Sequence, residues 1–194
     1  MKILCLSRAP LDYKGGIPTY CKNLYSSNKF DVENFSYDLS GKLKKEYKRI
    51  YSNIKEKIFP SQFIFGTIGI SKKYFLEIIN KCHLYQIIHI QHPDPFSALA
   101  VILAKLKNKK IKVIVTWHAN VYMNYLLVAP ILLLIDLVLF YISSDIVFFT
   151  PSHLKNSKIC NSKLLKAKAT IIPFCIKKPR IKANIYQSFY WQSR

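Results

Sequence analysis

The stretch Gln86–Leu103, Q-I-I-H-I-Q-H-P-D-P-F-S-A-L-A-V-I-L, decides the class of fold. Its β-branched first half predicts a buried strand over Gln86–Gln91. Asp94 then stands where a helix needs a cap, and Pro95 suits the first helical position, where its missing N–H costs nothing. A buried strand that passes through a short polar turn into an apolar helix is the repeating unit of α/β folds.

The same alternation of strand and helix continues along the chain in both directions. Five further short apolar runs predict strands: Lys2–Leu6, Asp31–Tyr37, Lys112–Thr116, Asp145–Phe149 and Ala169–Pro173. Pro18 is expected at the first position of one intervening helix, and Ser152 as the cap of another. Because such nearly continuous apolar strands are covered on both faces, we expect an α/β fold with a doubly wound, Rossmann-like parallel sheet.

Composition sets the broad class of protein. The chain has 194 residues, of which 51% are hydrophobic, so it can bury one substantial core, and wholesale disorder is excluded. Its formal net charge of +20 points to an anionic partner, which could be a membrane, a nucleic acid or a phosphorylated ligand. The five cysteines form no C-x-x-C pair and are expected as buried thiols of a reducing compartment. No secretory leader pattern opens the chain, so a cytoplasmic location is expected.

Two segments suggest contact with a membrane surface. Lys42–Ile58 places its apolar residues on one helical stripe among many lysines. This pattern predicts a basic amphipathic helix, either at the interface of an anionic bilayer or on an ordinary protein surface. Tyr125–Ile142 is the most apolar segment, but Pro130 and Asp136 interrupt it, so we expect a buried helix, or one that faces lipid along one side, and not a membrane span.

Polar residues that could carry chemistry follow three of the predicted strands. Gly15 and Gly16 precede a helix, where backbone N–H groups and the helix dipole favour a phosphate. His92 and Asp94 follow the strand over Gln86–Gln91, within which His89 is expected as a packed core residue. Ligands of doubly wound sheets bind beyond these carboxyl ends of the strands.

The third group of polar residues comes directly after Thr116. It contains His118, the best candidate for handling a proton or orienting a hydroxyl, and Asn120. No third side chain shares a metal-ligand spacing with His92 and His118, so no metal site is predicted. Classical dinucleotide, P-loop and nucleic-acid signatures are absent, and nucleic acid is an unfavoured partner.

Taken in order, these motifs resemble the N-terminal domain of family 4 glycosyltransferases, which have the two-domain GT-B architecture. The resemblance is carried by five segments: Lys2-Ile3-Leu4 with Gly15-Gly16-Ile17, Ile87–Pro95, Val113–Asn120, Ser144–Val147 with Thr150-Pro151-Ser152, and Ile171–Phe174. It implies retaining transfer of a sugar from a nucleotide-sugar to a glycan or lipid-linked acceptor. That activity would serve synthesis of a cell-surface polysaccharide or glycolipid at the inner face of the cytoplasmic membrane.

The resemblance also assigns roles to individual residues. Gly15 and Gly16 would contact the donor diphosphate, and His118 would lie near the reacting sugar or the acceptor hydroxyl. His92, Asp94 and Asn120 would line the acceptor pocket. No metal or other cofactor is expected, since the architecture needs no metal-binding D-x-D.

The resemblance covers residues 1–176, and residues 177–194 would be the start of an interdomain linker or a truncated tail. The second domain of the family, which binds the donor nucleotide, has no counterpart in this sequence. We therefore expect a truncated or frameshifted gene, a fragment, or one half of a split enzyme with a separate donor-domain subunit, and we do not expect activity from the isolated chain. Two alternatives remain open from the residues alone: a non-catalytic membrane-surface module and a degenerate remnant of a transferase.

Overall fold

A sheet of eight strands forms the centre of the structure, a computed structural model that describes residues 1–26, 29–65, 68–119, 129–157 and 162–174. The strands are β1 (Lys2–Leu6), β2 (Asp31–Tyr37), β3 (Tyr47–Tyr51), β4 (Ile54–Phe59), β5 (Phe63–Phe65), β6 (Ile68–Ile70), β7 (Ile87–His92), β8 (Lys112–Trp117), β9 (Asp145–Phe148) and β10 (Ala169–Ile171). The helices are α1 (Gly16–Leu24), α2 (Lys72–Lys81), α3 (Pro95–Lys107), α4 (Ala129–Ile142), α5 (Pro151–Asn156) and α6 (Lys163–Lys166).

The order of strands across the sheet is β10-β9-β8-β7-β1-β2-β4-β3. Every neighbouring pair runs parallel except β3 and β4, which form an antiparallel pair at one edge. Strands β5 and β6 make a separate small hairpin. All six strands expected from the sequence are present: two match the expected bounds, and the other four have ends that differ by one or two residues.

Side chains alternate between the two faces along each strand, so apolar side chains lie on both faces of the sheet, and helices cover both. On one face, Leu4 and Ile88 belong to a large core with residues of α2, α3 and α4. On the other face, Ile3 and Ile87 pack with Tyr20 of α1 in a second core. The prediction of a doubly wound, Rossmann-like α/β fold is therefore confirmed.

Local chemistry explains where the helices begin. Asp94 caps α3 by accepting a hydrogen bond from the backbone N–H of Ser97, and Pro95 is the first helical residue, as predicted. Two other expected starts were wrong. Helix α1 begins at Gly16, two residues before Pro18, and Thr150 rather than Ser152 caps α5, because its hydroxyl accepts the N–H of His153.

The predicted basic helix over Lys42–Ile58 was wrong, because this segment contains the β3–β4 pair. The two strands turn at Ser52, whose positive φ of 57° is compatible with a tight turn and not with a continuing helix. Glu56 is buried in β4 and receives hydrogen bonds from the Leu11 N–H at 2.7 Å and from the Arg49 Nε at 2.7 Å. Long-range contacts of this kind override a stripe that fits a helical period.

Of the predicted segment Tyr125–Ile142, residues 125–128 lie outside the described residues, and the remainder forms α4, whose inner residues Leu139 and Phe140 are buried in the core. Its outer face remains exposed: Ile131 and Leu134 are each 62% accessible, and Tyr141 is 67% accessible. In the described part of the chain, none of the helices combines the length and apolar character that a membrane crossing requires.

Candidate functional site at the carboxyl edge of the sheet

The carboxyl ends of β1, β7 and β8 lie side by side, because these parallel strands are neighbours in the sheet. His118 directly follows β8, and its backbone N–H donates to the carbonyl oxygen of His92 at 2.9 Å. The loop after β1 leads to Gly15 and Gly16 at the start of α1. The predicted groups of residues at these three strand ends therefore share one edge of the sheet.

Because side chains alternate between the two faces of a pleated sheet, the histidines at this edge lie on opposite faces. His89, Gln91 and His118 lie on the face covered by α1, where the ring of His118 meets that of Tyr20 edge-on at 5.3 Å. The side chain of His92 lies on the α4 face and stacks on Trp117, with ring centroids 4.5 Å apart. His118 therefore lies on the same face as the loop that contains Gly15 and Gly16, called the glycine loop below, and His92 faces away from it.

His118 is half-buried among aromatic rings. Its Nε2 donates a hydrogen bond to Gln91 Oε1 at 2.8 Å, and its ring contacts that of Phe149 at 5.1 Å. Burial, together with the nearby histidines and Arg8, lowers the pKa of His118 to about 3. The imidazole is therefore neutral near pH 7, with one N–H to donate and one bare nitrogen that can accept a hydrogen bond.

A buried polar network lies behind His118. His89 is in contact through Nε2 with the Thr116 hydroxyl at 2.7 Å and through Nδ1 with the Tyr25 hydroxyl. Burial lowers the pKa of His89 to about 4, so this ring is also neutral. The amide nitrogen of Gln91 approaches the His89 ring at 3.2 Å and joins the two histidines. The expectation that His89 is a packed core residue is confirmed, with hydrogen bonds to its surroundings.

Asp94 stabilises the fold, in addition to any role in binding. Its buried carboxylate caps α3 and accepts a hydrogen bond from the Tyr37 hydroxyl at 3.0 Å. Burial raises the pKa of Asp94, and the opposing effects of the hydrogen bonds from Ser97 and Tyr37 and of the charge of Arg8 do not cancel this rise. Contact of this carboxylate with an acceptor stays a prediction.

His92 is 1% exposed, and its Nε2 lies 2.9 Å from Oδ2 of Asp136 on α4. The sequence drew attention to Asp136 only as an interruption of an apolar segment, and this partnership was missed. The predicted role of His92 in the acceptor pocket would require α4 or Trp117 to move. Asn120, the other predicted acceptor residue, lies outside the described residues.

Gly15 and Gly16 are both exposed, and Gly15 is the N-terminal cap of α1. Gly15 has an extended backbone with φ −176°, which other residues also adopt. A Cβ added at Gly15 would come no closer than 3.6 Å to another atom, and one at Gly16 would meet nothing. The fold itself therefore does not require glycine at either position, whereas a ligand lying against the backbone would.

Arg8 is a further residue at this edge that the sequence analysis did not select. It lies just past β1 and is half-buried, and its charge contributes to the lowered pKa of His118 and opposes the rise that burial causes in the pKa of Asp94. A single arginine after a strand carries no sequence signal of its own. The site therefore combines a neutral imidazole, an exposed helix N-terminus and a cation.

Comparisons with known proteins support the fold. The chain is similar to a solved structure from E. coli, "Trehalose-6-phosphate from E. coli bound with UDP-2-fluoro glucose", with 12% identity and a TM-score of 0.55 over 91% of this chain and 49% of that one. It is similar to the "OtsA apo structure" with a TM-score of 0.54, 12% identity and the same coverage. No family model and no curated protein matches the sequence.

These neighbours are GT-B glycosyltransferases, and the present chain spans about half of their length. The similarity is consistent with the expected N-terminal GT-B-like domain. At 12% identity it establishes the fold and no more.

Proposed function

We propose that this chain is the acceptor-binding half of a retaining glycosyltransferase that resembles family 4. The observation that carries the proposal is the position of His118: a neutral imidazole at the carboxyl edge of the sheet, on the same face as the glycine loop. A neutral histidine suits contact with uncharged sugar hydroxyls. The fold, which matches about half of the chain of known glycosyltransferases, supports this assignment.

The glycine loop would receive the diphosphate of a nucleotide-sugar. Gly15 and Gly16 leave the start of α1 open, and an N-terminus of a helix favours negative charge. Arg8 adds a positive charge nearby. The matched E. coli structure contains UDP-2-fluoro glucose, so UDP-glucose is the first donor to try. The reaction as proposed uses no metal or other cofactor from this chain.

The test is the rate of sugar transfer by the enzyme as its cells make it, this chain together with its donor-binding half. His118→Ala is expected to lower kcat at least about a hundredfold, the scale on which a positioned proton-handling group acts. His83→Ala is the matched control, because His83 is exposed before the amino end of β7, at the opposite edge of the sheet. Wild-type turnover in the His118 variant would exclude the role.

We also propose that the chain sits peripherally on the inner face of the cytoplasmic membrane, through α4. Ile131, Leu134 and Tyr141 form an exposed apolar face on this helix, and lipid would cover it. The net charge of +20 favours an anionic bilayer. A lipid-linked or glycan acceptor would then be met at the surface that carries it.

Vesicle sedimentation tests the proposed membrane binding through α4. The chain is expected to bind vesicles that contain phosphatidylglycerol and to bind phosphatidylcholine vesicles less. The double change Ile131→Ser and Leu134→Ser should weaken binding, whereas Leu24→Ser, an exposed leucine on α1, should not. Binding that is unaffected by the α4 changes would exclude this surface. Vesicle binding combined with a dispensable His118 would favour the alternative, a non-catalytic membrane-surface module.

A further inference from the structure

We propose that Gln91 is a positioning residue that fixes which nitrogen of His118 carries the proton, so that His118 presents its bare Nδ1 to a substrate hydroxyl. The inference deepens the proposed function and rests on it for the identity of the substrate group. It narrows the chemistry that His118 recognises to a hydrogen-bond donor. An anionic phosphate oxygen, which can only accept, is not recognised by a bare nitrogen.

The geometry of the Gln91 side chain carries the argument. Gln91 is fully buried, and its Oε1 lies 2.8 Å from His118 Nε2. A carbonyl oxygen can only accept, so the proton must lie on Nε2. A neutral imidazole carries one N–H, which leaves the lone pair on Nδ1.

The surroundings hold the Gln91 amide in this orientation. Its Nε2 faces the sulfur of Cys5 at 3.9 Å and the ring of His89 at 3.2 Å. The sulfur of Cys5 can accept a hydrogen bond from the amide N–H, and the neutral His89 ring packs against the amide. Thr116 and Tyr25 in turn hold the His89 ring through its two nitrogens. The amide is therefore anchored at one end and accepts from His118 at the other.

Burial adds the second condition for this arrangement. A protonated imidazole has two N–H groups and no acceptor, and it would lose the contact with a hydroxyl that Nδ1 provides. The low pKa of His118 keeps the ring neutral at pH 7, and a neutral glutamine at position 91 preserves this state. A carboxylate at the same place would stabilise the imidazolium and abolish the acceptor.

The tautomer can be measured without any transferase activity. In the chain labelled with ¹⁵N-histidine, long-range ¹H–¹⁵N NMR spectra distinguish a protonated Nε2 from a protonated Nδ1. We expect His118 as the Nε2–H tautomer in the wild type. A wild-type ring protonated on Nδ1, or doubly protonated at pH 7, would overturn the proposal.

Two substitutions separate positioning from a merely structural role. Gln91→Leu removes the acceptor and is expected to give a mixture of both tautomers, whereas Gln91→Glu keeps an acceptor and should raise the pKa of His118 by about one unit or more. Gln86→Leu, before the amino end of the same strand, is the matched control and should change neither property. An unchanged tautomer in a folded Gln91→Leu variant would overturn the proposal. If neither Gln91 variant folds, the wild-type spectrum alone decides.

Failure of this inference is distinguishable from failure of the proposed function. A wild-type rate of transfer in His118→Ala would exclude the role of His118 in transfer and leave the tautomer measurement untouched. In the active enzyme, Gln91→Glu should shift the acidic limb of the pH profile of kcat upward, following the His118 pKa. A pH profile that is identical to wild type, in a variant whose His118 pKa has risen, would contradict the hydroxyl contact.

Discussion

Nε2 of His92 and Oδ2 of Asp136 lie 2.9 Å apart, although both side chains are almost completely buried. The contact joins the end of β7 to the middle of α4, a helix whose other buried residues are apolar. A carboxylate in such surroundings is costly unless it is paired. His92 is therefore the polar neighbour of this aspartate in the centre of the apolar helix, although the contact lacks hydrogen-bond geometry at Oδ2.

The first prediction concerns this pair. Asp136→Leu and His92→Leu should each lower the free energy of unfolding by about 3 kcal/mol, since each leaves a buried polar partner alone. The double variant should lose clearly less free energy of unfolding than the sum of the two single losses, because neither buried polar side chain remains without its partner. Urea unfolding measures all three, with Asp145→Asn, an exposed aspartate, as the control. Additive losses would mean that the two side chains do not interact.

The second prediction separates stability from ligand contact at the glycine loop. Gly15→Ala and Gly16→Ala should leave the free energy of unfolding within about 1 kcal/mol of wild type or raise it, because the added methyl group meets no close atom. The same variants should reduce sugar transfer by obstructing the diphosphate. Gly69→Ala is the contrast, since a Cβ there would lie 2.4 Å from the Tyr37 ring and should destabilise the fold.

Thermal unfolding and a transfer assay distinguish these effects. Alanine variants at the loop that retain full transfer would contradict a role in donor binding, and variants that unfold would show that the fold needs these glycines after all.

Local sequence was sufficient for some features of this molecule. The strands β7 and β8 are rich in β-branched residues, and Asp94 with Pro95 forms a cap that depends only on neighbouring residues. The prediction of a helix over Lys42–Ile58 was wrong because the apolar residues recur with a helical period, although the segment forms paired strands. What decides between the two is the burial of Glu56, which depends on partners far away in the chain.

The candidate site, too, could be predicted only in part from the local sequence. In the sequence, His92 and His118 each follow a predicted strand, and both were expected at the site. Pairing of His92 with Trp117 sets the register, and the pleat then sends the two histidines to opposite faces. Neither the register nor the partner Asp136 can be seen in the local pattern, so the sequence identified the edge of the sheet but not which histidine faces α1.

The third prediction is a pH dependence of stability. Burial lowers the pKa of His89 to about 4 in the folded chain, below its ordinary value of 6.5, so the unfolded chain binds a proton more readily. Stability should therefore fall as pH decreases from about 6.5 toward 4, with a slope of about 1.4 kcal/mol per pH unit for this one group. His89→Gln should make that slope shallower by one proton, and His83→Gln, an exposed control, should not. An unchanged slope in the His89 variant would show that another group is responsible.

The fourth prediction tests the hairpin at the sheet edge. Arg49 Nε lies 2.7 Å from Glu56 Oε2, seven residues away in the sequence, and the carboxylates of Asp12 and Glu56 raise the pKa of Arg49. On a continuous helix these residues would be two turns apart and could not meet in this way. Glu56→Leu should lower the free energy of unfolding by about 3 kcal/mol, because it leaves Arg49 and the Leu11 N–H without their buried acceptor.

Lys55 is the matched control for this hairpin, since it neighbours Glu56 in β4 and its ion pair with Asp31 is exposed. Lys55→Ala should leave the urea midpoint unchanged, because exposed pairs contribute little to stability. Circular dichroism of the Glu56→Leu variant provides a second measurement: loss of the β3–β4 pair should remove strand signal and leave helical signal intact. A loss of helical signal, or a stability equal to wild type, would restore the amphipathic helix as the better description of this segment.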